Sequence, residues 1–237
     1  MSQVLVLKTG TTLDALRARR GDYEDWILAG LGVAAEAAHV ASVHLGEPLP
    51  APNGPAAVVV TGSSAMVSER LSWSERAALW LRDAAHAGTP ILGICFGHQL
   101  LGQALAGRVG PNPRGREMGT VQVELRAEAR DDPLLGGLPS PLTVQATHVE
   151  SVLELPPGAR ALAGNAADPH HAFAWGDAAW GVQFHPEFDA DVMRAYLEAR
   201  RQILRGEGID PEPLESGVSD SPHGHELLRR FAQLATL

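Results

Sequence analysis

The stretch that most constrains this chain is residues 88–107, GTPILGICFGHQLLGQALAG. An apolar run from Pro90 to Ile94 stops at Cys95, the only cysteine in 237 residues. A helical pattern starts at once, with Leu100, Leu101, Ala104 and Leu105 recurring at spacings of three and four. Gly93 and Gly97 stand two residues to either side of the thiol. Strand, nucleophile and helix in this order form the elbow pattern of α/β hydrolytic enzymes, here with cysteine in the place of serine. Small neighbours suit it, because the nucleophile sits on a tight turn that side chains would crowd. The positive end of the following helix favours negative charge on the sulfur. A lone cysteine is more often a small buried hydrophobe; the flanking glycines and the strand-to-helix switch argue for a nucleophile here.

Upstream, Val4 to Leu7 reads as a buried first strand and residues 22 to 31 as a helix with Tyr23, Trp26, Ile27 and Leu31 on one side. Val40 to Leu45 and Ala56 to Thr61 read as strands, the second uniformly apolar as a strand covered on both faces should be. Ser74 to Ala87 reads as a helix capped by Ser74. This alternation predicts an α/β fold, a mainly parallel sheet with helices on both faces. After a loop at 110–115, short strand candidates follow at hairpin-like spacing: Thr120 to Leu125, Leu142 to Thr147, Arg160 to Ala163, Ala172 to Trp175 and Ala179 to Phe184. They predict a small antiparallel extension. Asp189 to Arg205 is a helix, 206–223 a linker, and His225 to Leu237 an amphipathic helix. Residues 1–205 are expected to form the main domain, with 206–237 packed on it.

A catalytic thiol needs a base, and the base needs a group that fixes its tautomer. Of ten histidines the best placed is His185, at the end of the strand in WGVQFHPEF. Glu187 lies two residues on, on the same side of an extended chain, and can hold one imidazole nitrogen while the other faces the thiol. Acyl transfer also needs donors for an oxyanion. The N–H of Phe96 is one candidate, and the loop at Gly62 and Ser63 supplies the second, with Gly62 free to take an unusual φ. Gln99 and His98 lie on the elbow helix, and Thr147-His148-Val149-Glu150, following a strand, is placed to reach the pocket rim, with His148 as a candidate substrate contact. His170 and His171 are adjacent but have no further ligands in sequence, so no metal site is expected.

GICFGHQLL at 93–101 together with QFHPEF at 183–188 resembles the class I (triad) glutamine amidotransferases, with the texture of the glutaminase domain of GMP synthase and its stand-alone relatives. The resemblance covers about residues 40 to 200. It implies a flavodoxin-like core, a Cys95-His185-Glu187 triad, an oxyanion loop at Gly62-Ser63, and substrate contact by Gln99. Where many members carry Gly-Gly-Pro in that loop, this chain has Gly62-Ser63-Ser64. The implied activity is hydrolysis of glutamine through a thioester, with ammonia passed to an acceptor on a separate synthase subunit. Two alternatives stand beside it: a γ-glutamyl peptidase without acceptor, favoured by the lack of an attached synthase module, and a regulatory subunit whose triad is a relic.

Composition narrows the rest. With 28 acidic and 19 basic residues the net charge is −9, which argues against nucleic acid. No apolar run nears the ~20 residues of a membrane span. A single cysteine suits a reducing compartment, and the N-terminus has no basic region followed by a long apolar stretch. A cytoplasmic protein is expected. There is no Walker-type loop, and no cofactor is expected.

Overall fold

A computed structural model describes residues 3–237. In chain order the elements are β1 (Val4–Lys8), α1 (Asp14–Arg20), α2 (Tyr23–Leu31), β2 (Ala38–Ser42), β3 (Ala57–Val60), α3 (Ser72–His86), β4 (Ile91–Ile94) and α4 (Phe96–Ala104). Then come β5 (Arg108–Pro111), β6 (Glu117–Leu125), β7 (Leu142–His148), β8 (Glu150–Glu154), β9 (Arg160–Gly164), β10 (Ala172–Trp175) and β11 (Ala179–Val182). Three helices close the chain: α5 (Ala190–Gly206), α6 (Pro211–Ser216) and α7 (His223–Leu234).

One nine-stranded sheet runs β2-β1-β3-β4-β11-β10-β9-β6-β7. Its first five strands are parallel. The other four continue it antiparallel, and β5 and β8 form a separate ribbon. The parallel part has the flavodoxin-like order, in which ligands bind beyond the carboxyl ends of the strands.

The apolar runs of β1, β3 and β4 follow from two-sided burial. Alternate side chains of a strand point to opposite faces. Val4, Val6, Val59 and Ile94 enter one core with Trp26, Ile27, Leu197 and Phe231 of α2, α5 and α7. Leu5, Leu7, Val58, Val60 and Ile91 enter the other with Leu81 of α3 and Leu100 and Leu101 of α4.

Several boundaries differ from expectation. The second strand ends at Ser42, and Val43–Leu45 form a 3-10 turn closed by Gly46 at φ 88°; the Glu47 carboxylate accepts from the Ser42 N–H at the turn. Helix α3 begins at Ser72 after Leu71, so Ser74 is not its cap but a buried residue of its first turn. Helix α1 buries only Leu16 and so shows no apolar stripe. The expected linker contains α6, opened by Asp210 as cap and Pro211 at its first position. The expected loop at 110–115 overlaps β5, which pairs with β8, a strand without a clear alternating pattern.

Candidate active site

Cys95 is the first residue beyond β4, where its N–H still donates to the Val182 carbonyl of β11 at 2.9 Å. It adopts φ 52° and ψ −104°, a conformation rarely open to a side-chain-bearing residue. Holding it costs of order 1–3 kcal/mol, and the packing around the turn supports it. A Cβ on Gly97 would stand 2.5 Å from the Val60 carbonyl oxygen, and one on Gly93 would strike the backbone of Gly97. The flanking glycines are therefore demanded by the close seating of α4 on β3 and β4. The strained φ belongs to the cysteine itself.

His185 and Glu187 follow β11. The His185 Nδ1 and Glu187 Oε1 are 2.7 Å apart, both side chains buried. Phe188 stacks on the imidazole at 4.0 Å between centroids, and the Tyr23 ring lies about equally near both. The His185 N–H donates to the Gln145 carbonyl of β7, so the antiparallel extension also holds this segment. Nε2 is buried beside Cys95 and makes no hydrogen bond. Burial alone would depress the imidazolium, but the negative charges of Glu187 and Cys95, with the hydrogen bond to Glu187, overcome it and push its pKa up to about 10. The ring is thus held in its protonated form beside the thiol.

Gly62 lies against both groups: a Cβ there would be 2.9 Å from His185 Cε1 and 3.8 Å from Cys95 Cβ. Its φ is not in the left-handed region, so glycine is required by this close approach rather than by the backbone freedom expected from sequence. The loop is pinned from β1: the Thr9 hydroxyl donates to the carbonyls of Thr61 and Gly62, and Ser63 Oγ donates to the Thr9 carbonyl. Phe96 opens α4, where backbone N–H groups have no acceptor within the helix.

An open pocket is lined by Cys95, Phe96, Ser63, Gln99 and the expected rim segment Thr147 to Glu150, together with residues not anticipated from sequence, among them Arg116 and Arg200. Gln99 Nε2 donates to the Glu150 carbonyl (2.8 Å) and to Gln183 Oε1 (3.0 Å). One carboxylate oxygen of Glu150 accepts from the Ser68 N–H, and the other is buried without a partner. Arg116 makes a two-pronged contact with Glu207, while the Arg200 guanidinium lies over Tyr196. The arginines come from the residue just before β6 and from α5, so only tertiary folding brings them together. His148 reaches the pocket, but its ring is engaged by Glu117 and the Glu150 carbonyl. His98 is fully buried against Phe173, and burial pushes its pKa down to about 3 despite the nearby Asp168.

The parallel core, with a thiol, an imidazole and a carboxylate gathered at its carboxyl end, defines an α/β protein of flavodoxin-like order. Residues 33–201 match the profile of the family described as Glutamine amidotransferase class-I, and the chain belongs to that family. It is 36% identical over 185 residues to the glutamine-hydrolyzing GMP synthase of Aeropyrum pernix, covering 78% of this chain and 32% of that protein. It is 33% identical over 146 residues to one of the subunits of the glutamine-hydrolyzing GMP synthase of Pyrococcus abyssi, covering 61% of this chain and 60% of that protein. The chain thus spans less than two thirds of these curated relatives. The crystal structure of a glutamine amidotransferase from Thermotoga maritima shares the fold, with a TM-score of 0.78 at 22% identity over 99% of this chain and 98% of that one.

Proposed function

We propose that this chain hydrolyses the γ-amide of glutamine through Cys95, His185 and Glu187. The observation that carries the reading is the buried His185–Glu187 pair beside a thiol held on a strained turn. Cys95 attacks the γ-carbonyl as its thiolate. The developing oxyanion accepts from the N–H groups of Phe96 and of the Gly62-Ser63 loop. The His185 imidazolium gives its proton to the departing ammonia, and Glu187 holds the ring in place. His185 then takes a proton from water as it attacks the thioester, which releases glutamate and restores the thiol.

The pocket supports an amino-acid substrate. The unpartnered Glu150 oxygen suits the α-ammonium, and Arg200 and Arg116 suit the α-carboxylate, beside Gln99. Ammonia passes to an acceptor on a separate synthase subunit. This step is supported by relatives that are themselves named as single subunits of a glutamine-hydrolyzing GMP synthase. The test measures ammonia release from glutamine and amine release from γ-glutamyl dipeptides, with and without the synthase partner. Glutamine turnover that the partner stimulates supports the reading. Cleavage of dipeptides with glutamine left intact replaces it with a peptidase, and inertness toward both, partner included, leaves a regulatory role.

A further inference from the structure

We propose that Glu117, His148 and His171 bind a divalent transition-metal cation of the zinc class next to the pocket. The three residues come from separate places. Glu117 opens β6, His148 closes β7 directly opposite it in the ladder, and His171 precedes β10. Glu117 Oε2 lies 2.9 Å from His148 Nε2 and 2.8 Å from His171 Nε2, and the three atoms are mutually within 4.8 Å. His170, which sequence pairs with His171, turns away to the Val152 carbonyl. The further ligands that sequence lacked are supplied by β6 and β7.

The tautomer of His148 points to a cation. Its Nδ1 faces the backbone carbonyl of Glu150 at 2.9 Å, an acceptor only, so Nδ1 carries the hydrogen. In a neutral imidazole Nε2 then presents a lone pair, here aimed at a carboxylate oxygen, and the two repel unless a cation lies between them. Donation of the other ring N–H to a carbonyl is how metal-bound histidines are usually oriented. The second oxygen of Glu117 is held by the Asn165 amide at 2.7 Å, which orients the carboxylate in the same way.

Two imidazoles and one carboxylate are a donor set that zinc accepts, with a fourth position left for solvent. Calcium and magnesium prefer oxygen alone. Donor atoms around a tetrahedral zinc stand about 3.3 Å apart, so loading requires the Glu117 oxygen to stand about half an ångström farther from each histidine nitrogen than it does here. Glu117 is the ligand whose side chain retains solvent contact, at 9% against 1% and 0% for the histidines. The bound ion would fasten the end of β7, where the Thr147 carbonyl meets Cys95 Sγ at 3.7 Å. The proposal does not depend on the glutaminase reading. Its competitor is a proton shared by the same three groups.

The test uses the full chain carrying Cys95→Ala, so that zinc held by the thiol is not counted. Chelator-stripped protein is dialysed against micromolar zinc and analysed for metal, and a parallel sample is loaded with cobalt(II). About one zinc per chain is expected, with a visible cobalt spectrum of tetrahedral nitrogen and oxygen ligation. Adding His171→Gln, or separately Glu117→Gln, should weaken zinc binding at least tenfold, with circular dichroism checking that each variant is folded. Zinc well below one equivalent in the Cys95→Ala protein overturns the proposal in favour of the shared proton. So does unchanged affinity in folded His171→Gln and Glu117→Gln proteins.

Discussion

At the scale of single residues, Cys95, His185 and Gly62 are constrained by one another. Cys95→Ala should abolish ammonia release from glutamine, a loss of about a thousandfold or more for removing a nucleophile; turnover within tenfold of the parent would refute the assignment. Gly62→Ala puts a methyl 2.9 Å from His185 Cε1, so it should lower kcat while leaving the fold intact, read by steady-state kinetics beside a melting curve. His185 titrates near 6.5 when unfolded and near 10 in the fold. Below ~6.5 both states carry the proton and the stabilisation is full. Between the two values the fold holds a proton that the unfolded chain has lost, so stability falls as pH rises and this contribution is gone above about 10. Urea unfolding from pH 6 to 10 should show this decline, and Glu187→Gln should flatten it. Equal slopes in the two proteins would contradict the charge pairing. The candidate triad was legible in sequence because its two motifs carry their own local geometry. Glu150 was legible only as the end of a segment placed at the pocket rim; Arg116 and Arg200 were not, since each lies in an ordinary segment and acquires meaning only from its neighbours in the pocket.

At the scale of elements, the helices that pack on the parallel core were largely readable, and the pieces that bury little were not. Helix α5 is capped by Asp189, whose carboxylate accepts from the Val192 N–H and pairs with Arg20. Asp189→Ala should cost about 1 kcal/mol of stability, measured by urea denaturation. Helix α7 was legible from the stripe Leu227, Leu228, Phe231 and Leu234; the first three are fully buried, while Leu234 at the end of the helix is exposed. Phe231 meets Trp180 of β11 edge to face, so Phe231→Ala should cost about 3–5 kcal/mol and lower the melting temperature. A loss under 1 kcal/mol would mean that α7 is not integral to this core. Helix α1 escaped notice because one buried leucine leaves no period to read, and α6 because a six-residue helix inside a Gly- and Pro-rich segment is outweighed by its surroundings.

At the scale of the whole molecule, the site is assembled from both halves of the sheet. The parallel strands deliver Gly62, Cys95 and His185 at their carboxyl ends, while the antiparallel strand β7 returns to that end with Thr147, His148 and the carbonyl that holds the His185 backbone. Local sequence was enough for the parallel core, the elbow, the candidate triad and the flanking helices, because runs of apolar residues and short motifs encode local geometry and burial on one or two faces. The nine-strand order, the lining of the pocket by Arg116 and Arg200, the steric reason for Gly62, and the meeting of Glu117, His148 and His171 emerged with the three-dimensional fold alone. Each of these depends on residues far apart in sequence coming within a few ångströms, and no local periodicity records such a distance.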